Sequence, residues 1–302
     1  MNKFQANLCL ITATLCWSCE LILLKNIPTN ISGFAVTTMT NLIGCIILST
    51  LFFKDLKANY NTKIMKDIAL LAIINMAYNI MVIYALKYLD VTTGIFTASM
   101  AIIFIPIILV FCNKKLKLQV WLGALLILTG ILNSIDLNFP QEQTIGLAFM
   151  ILFAIIRAGY IIRLNDLSKH YNPLVISILI LGYVACFSFI IWFFIDPGTF
   201  FSIEYSPQML SSIFAHGYFI CAFATVINIF AQTVVSATSA AAIYSLYPVF
   251  SIVLAAVLPA ILIDSIPITT QVALNCFLIS LGAFASEADW SLIKKHYQKI
   301  MS

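Results

Sequence analysis

Charge is what this chain has least of. Lys, Arg, Asp and Glu make up 9% of its 302 residues, whereas 62% are hydrophobic, and the mean hydropathy is +1.03. A soluble chain of this length hides its cores beneath a charged skin, and the charge here is too sparse to cover one. Other absences narrow the class further. There are no alternating segments of about ten residues, which a membrane barrel would show. Neither a Gly-Xaa-Ser-Xaa-Gly nucleophile turn, nor a phosphate loop, nor a His/Asp/Glu cluster with metal-ligand spacing occurs, which argues against an enzyme and against an ATP-driven pump. No cofactor is implied. No loop carries a basic stripe interleaved with aromatics, so the net charge of +4 calls for no nucleic acid. The short termini carry no soluble output domain, which argues against a sensor. The first apolar run follows Lys3 as a signal peptide would, but it lacks a small-residue cleavage site and runs past Trp17, so it reads as an uncleaved span.

What remains is a series of apolar runs long enough to cross a bilayer as helices, about 20 residues each. They fall at 4–24, 31–53, 67–86, 92–112, 119–136, 145–163, 174–195, 210–233, 238–260 and 270–287. The expected fold is an all-α integral membrane protein of ten transmembrane helices, since lipid obliges the backbone to satisfy its own hydrogen bonds. Cytoplasmic loops retain Lys and Arg. With the N-terminus inside, 13 of the 16 basic residues fall on inside segments and only Lys25 and Lys87 outside. Both termini are therefore expected in the cytoplasm. Arg157 is the remaining one, and it stands inside the sixth run.

The eight cysteines are scattered through apolar helices. The pair Cys16 and Cys19, in CWSC, has redox or zinc spacing, but it sits deep in the first run without further ligands, and packing is the better reading. Internal repetition is more informative. QVWLGALLILTG from Gln119 recurs as QVALNCFLISLG from Gln271, an offset of 152, and YALKYLDVTTGIF from Tyr84 echoes FAQTVVSATSAAA from Phe230, an offset of 146. Two halves of five helices, an odd number, enter the membrane from opposite sides, so the repeats are inverted, the plan of alternating access. The first covers residues 1–140 and the second 141–290, with a short basic tail at 291–302. Pro106 and Pro248 differ by 142, one helical turn out of step with the neighbouring echo.

With Trp17 late in the first helix, YALKY at Tyr84–Tyr88 closing the third, YPVF at Tyr247–Phe250 in the ninth, and the two Gln-to-Gly frames, the chain resembles an EamA-like ten-helix member of the drug/metabolite transporter superfamily. The resemblance implies a carrier of small organic solutes with a central cavity between the halves, seated in a bacterial inner membrane. It departs from the family pattern at Asn113-Lys114-Lys115 and Asp264, where a glutamate often follows the fourth and ninth helices. Arg157 also departs from it, standing where an aromatic or small residue is usual.

Helical phase then places the polar residues. Asn75, Tyr78 and Asn79 share one face of the third helix, and Cys221, Thr225, Asn228 and Gln232 one face of the eighth. The 146 offset matches Asn75 to Cys221 and Asn79 to Thr225, so the polar face is repeated in both halves, as a shared cavity requires. Interhelical hydrogen bonding without any solute is the alternative. In the ninth helix Tyr244 and Tyr247 accompany Pro248; Tyr247 reads as packing at a kink, and His216 as a hydrogen-bonding residue near the outer interface.

Two ionisable side chains stay in the membrane, Glu20 and Arg157. Each costs about 2.5 to 3.5 kcal/mol on the insertion scale unless it meets protein, water or a partner. Arg157, with Tyr160 on its face, suits a carboxylate or phosphate, and Glu20 an ammonium group or a coupling proton. Together they point to a zwitterion such as an amino acid. The competing reading is an internal Glu20–Arg157 lock, although the two backbones are expected to differ in depth by about 12 Å. The candidate binding set is Arg157, Glu20, Trp17, Asn75, Tyr78, Asn79, Tyr160, Thr225, Asn228, Gln232 and Tyr244. A rival within the carrier class is an exporter of hydrophobic or cationic compounds.

Overall fold

The computed structural model describes residues 1–25, 27–28, 30–85, 87–89, 91–134, 141–257 and 269–287. The expected tail at 291–302, Asp264 and the repeat boundary at 140 lie outside them. Among the described residues every regular element is a helix. In chain order these are α1 (Lys3–Ser18), α2 (Glu20–Lys25), α3 (Gly33–Leu51), α4 (Phe53–Asn59), α5 (Thr62–Ala85), α6 (Val91–Ala98), α7 (Ala101–Phe111), α8 (Leu118–Leu132) and α9 (Gln141–Leu167). The second half continues with α10 (Pro173–Ile195), α11 (Pro197–Ser202), α12 (Pro207–Ala215), a π-helical segment (His216–Ala224), α13 (Thr225–Gln232), α14 (Ala237–Tyr244), α15 (Tyr247–Val257) and α16 (Thr270–Glu287). Seven helical stretches among the described residues are long and apolar enough to cross a membrane, and α8 and most of α16 form two shorter apolar helices. The protein is an integral membrane protein.

Local sequence sets the helix ends. Asn2 caps α1 and exchanges side-chain bonds with Gln5 in a capping box, at 2.8 and 3.0 Å. Asn172 and Ser206 cap α10 and α12, each with a proline in the first turn where no N–H is missed. At the far end of α7, Asn113 takes φ 59°, a left-handed turn that its short polar side chain tolerates.

Among the described residues, four of the apolar runs break well inside their length. The first breaks at Cys19, so that Glu20 opens α2, and the eighth passes through the π-helical segment. The fourth and ninth each divide into two arms, at Ser99-Met100 and at Ser245-Leu246. These two breaks are 146 residues apart, the offset of the sequence echo, which explains why the prolines are out of step. Pro248 stands in the first turn of α15, after its break, whereas Pro106 lies inside α7. The equivalent features are the breaks, and the prolines do different jobs.

α8 lies along α16 at backbone distance. A Cβ on Gly123 would meet the Gly282 carbonyl at 2.6 Å, and one on Gly130 would meet the Asn275 carbonyl at 3.0 Å. Under the 152 offset Gly123 corresponds to Asn275 and Gly130 to Gly282, so each contact maps onto the other with partners exchanged. Asn133 Nδ2 donates to Asn275 Oδ1 at 2.8 Å, and Gln271 Nε2 to the Asn133 carbonyl at 2.7 Å.

At the end of the bundle formed by the start of α5 and the end of α9, polar groups tie the helices together. Arg163 bridges to Asp67 at 3.6 Å and to Asp166 at 2.9 Å. Tyr171 donates to Asp67 at 2.7 Å, which pushes its phenol pKa up and keeps it a donor. The buried Asn165 donates to the carbonyls of Gln232 and Val235, at 3.1 and 2.9 Å, where α13 ends.

Because the α8–α16 approach leaves no room for a methyl group, Gly123→Ala is expected to cost about 1–3 kcal/mol and to lower the melting temperature in detergent. Gly159→Ala, with nothing within 4 Å of the added carbon, should leave it unchanged or raised. Thermal unfolding of both variants checks this, and equal losses would contradict the close approach.

Candidate functional site

The breaks, the π-helical segment and the polar faces converge on one cavity inside the bundle. All eleven candidate residues line it: Trp17, Glu20, Asn75, Tyr78, Asn79, Arg157, Tyr160, Thr225, Asn228, Gln232 and Tyr244. They come from α1, α2, α5, α9, α13 and the end of α14. Among the described residues, neither α8 nor α16 contributes a lining residue.

Arg157 projects from the middle of α9. Its guanidinium carbon lies 5.9 Å from the centre of the Trp17 ring and 5.4 Å from that of Phe153, contacts that compensate part of its lost hydration. The ion pairs among the described residues join Arg163 to Asp67 and Asp166, and Glu20 to His216; Arg157 takes part in none of them. Glu20 Oε1 is instead 3.5 Å from His216 Nε2. The direct Glu20–Arg157 bridge, weighed above as an internal lock, is therefore not formed.

His216 is buried on the cavity wall. Two local features hold it there. The adjacent Gly217 meets α3 so closely that a Cβ would lie 2.9 Å from the Thr40 carbonyl and 2.7 Å from Ile43. The π-helical winding also stacks residues five apart, so that His216 Nδ1 is 3.6 Å from Cys221 Sγ.

Neutral polar groups form two clusters. On α5, Asn79 donates to Asn75 Oδ1 at 2.7 Å and Asn75 to the Tyr78 hydroxyl at 2.8 Å, while the Tyr78 ring packs edge-on against Tyr160 at 5.2 Å. Across the cavity, the Tyr244 hydroxyl donates to Asn228 Oδ1, and Gln232 Nε2 donates to both, at 3.0 Å to Tyr244 and 3.3 Å to Asn228. Trp17 closes this side by meeting the Tyr244 ring edge-on at 5.3 Å. Ser18, beside Trp17, donates to the Tyr247 carbonyl at 3.3 Å, fastening α1 to the start of α15.

Sequence reasoning passed over several lining residues. Thr37, Thr40 and Asn41 of α3 face the cavity, and the signal was present in TTMTN, whose polar residues recur at helical spacing. Their side chains also bond to their own helix, Thr40 to the Val36 carbonyl at 2.9 Å and Asn41 to that of Thr37 at 2.8 Å. Tyr247, read as a packing residue, lines the cavity as well.

The Tyr244 hydroxyl is the junction of its cluster. Tyr244→Phe should cost about 0.6 to 2 kcal/mol by leaving buried amides short of a partner. The loss is read as a lower melting temperature in detergent, and unchanged stability would show that the junction carries no weight.

No curated protein matches the chain in sequence. A solved structure described only as "Crystal structure of protein" superposes with a TM-score of 0.74, covering 95% of this chain and 98% of its own at 17% identity, a likeness in fold alone. The EamA-like transporter family matches residues 5–135. The resemblance of this chain to the EamA-like transporters is thus shown, with the match falling on α1 through α8.

Proposed function

We propose that the protein carries small carboxylate-bearing metabolites, zwitterions of the amino-acid kind, across a bacterial inner membrane by alternating access. The observation that carries this reading is Arg157: a fixed cation on the cavity wall, seated over two rings and outside every ion pair among the described residues. A guanidinium so placed can offer a planar pair of N–H donors to a two-oxygen anion. The Asn75 and Asn228 clusters supply neutral donors and acceptors around the rest of a polar solute. With no ATP-binding motif in the sequence, movement is gradient-driven or facilitative.

The architecture that goes with this function is ten membrane helices in two inverted repeats, 1–140 and 141–290, with both termini cytoplasmic. The matching helix breaks at Ser99 and Ser245 and the exchanged contacts of α8 with α16 support the repeats. Discontinuous helices near the bilayer midplane are a common place for transporter sites. The basic-residue count supports the orientation. The rival, an exporter of hydrophobic cations, draws on the aromatic wall, but Trp17 and Phe153 already face the protein's own cation.

Thermal-shift screening of the purified protein against amino acids, nucleosides and organic cations tests the solute class. Stabilisation by carboxylate-bearing solutes is expected, and stabilisation by cations alone would overturn the reading. In proteoliposomes, Arg157→Ala should raise the KM for the stabilising solute by about 10- to 100-fold, the worth of a charged hydrogen-bond pair.

A further inference from the structure

Glu20 and His216 form a polar contact inside the apolar bundle that solute recognition by Arg157 does not use. The carboxylate is 3.5 Å from the ring and the two side chains are 25% and 8% exposed, so the histidine is enclosed while the carboxylate still opens on the cavity. Both ring nitrogens are engaged, Nε2 with Glu20 and Nδ1 with the Cys221 sulfur. The histidine sits at the start of the π-helical segment, and such segments recur at functional sites. Other titratable or charged groups face this pair from the surrounding helices. Tyr78 of α5 and Tyr247 of α15 lie within electrostatic reach of both Glu20 and Arg157. Cys19, at the α1–α2 break, also acts on Tyr247. α12 brings no titratable side chain, and Cys45 of α3 turns towards Ser49 and the Ile178 carbonyl.

We propose that Glu20 and His216 together are a proton-binding site, so that a proton travels with the solute; this rests on the carrier reading above. Imidazole is the side chain whose charge changes near neutral pH. With a proton on His216 the pair is neutral as a whole, and Arg157 leaves the cavity with a charge of about +1. Without it the pair is negative and cancels Arg157. Proton uptake therefore makes the cavity more attractive to a carboxylate, and by linkage a bound carboxylate favours the proton to the same degree. No bond other than the N–H changes: the proton comes from water on one side and returns to water on the other.

Two experiments on the full chain test this independently. The first needs no solute: NMR of the protein in detergent with 13C-labelled histidine, the His216 signal among the three histidines being identified by its loss in H216Q. His216 is expected to titrate, and E20Q to move its midpoint by about one pH unit or more. A midpoint indifferent to E20Q, or an absence of titration, overturns the proposal. The second is uptake of labelled L-serine into proteoliposomes. An acidic exterior should accelerate entry several-fold in the native protein, and the ratio of acid-outside to symmetric uptake should fall to about one in H216Q and E20Q. Serine uptake that ignores the gradient overturns the proton site while leaving the carrier intact. Absence of serine uptake counts against the carrier reading for that solute, and the histidine titration then decides the proton site by itself.

Discussion

A guanidinium keeps its proton and tolerates hydrocarbon badly, and much of this bundle is arranged around that fact. Arg157 stands in the middle of α9, and the groups that share its cavity come from helices far apart in sequence: the indole of α1, the hydroxyls and amides of α5 and α13, the tyrosine that ends α14. The Trp17 and Phe153 rings give the cation its faces, while the amides of α5 and α13 bond within their own clusters on the same cavity wall.

The other organising constraint is that a membrane helix must account for its own backbone polar groups. Among the described residues, four of the apolar runs nevertheless interrupt their winding, and a carbonyl near one of the interruptions is answered from within the protein, where Ser18 donates to Tyr247. Such departures are tolerable only where protein or an internal cavity surrounds them, and the breaks at Ser99 and Ser245 are buried.

Much of this was legible in the sequence. The apolar runs, the polar faces at three- and four-residue spacing and the isolated arginine placed all eleven candidates on one wall-lined space, because helical phase is a strong signal when nearly everything else is apolar. What escaped was local winding. A π-helical segment has no residue signature, so the approach of His216 to Glu20 is not legible in the sequence. The helix breaks lie at serines followed by large apolar residues, not at the prolines, and prolines are what a reader of sequence looks for. The threonines of α3 were missed for a different reason: a hydroxyl that bonds to its own helix can face either a cavity or a neighbour.

The close crossing of α8 and α16 lies apart from all of this chemistry. Its closest contacts bring backbone to backbone at Gly123 and Gly282, with the Asn133 and Asn275 amides bonded beside them, and among the described residues neither helix lends a side chain to the cavity. The crossing that holds the two halves together and the cavity to which a solute site is assigned here are thereby written in different parts of the chain. A descendant could exchange Arg157, Glu20 or the amides for groups suited to another solute without disturbing the crossing. The scaffold can stay constant while its passengers change.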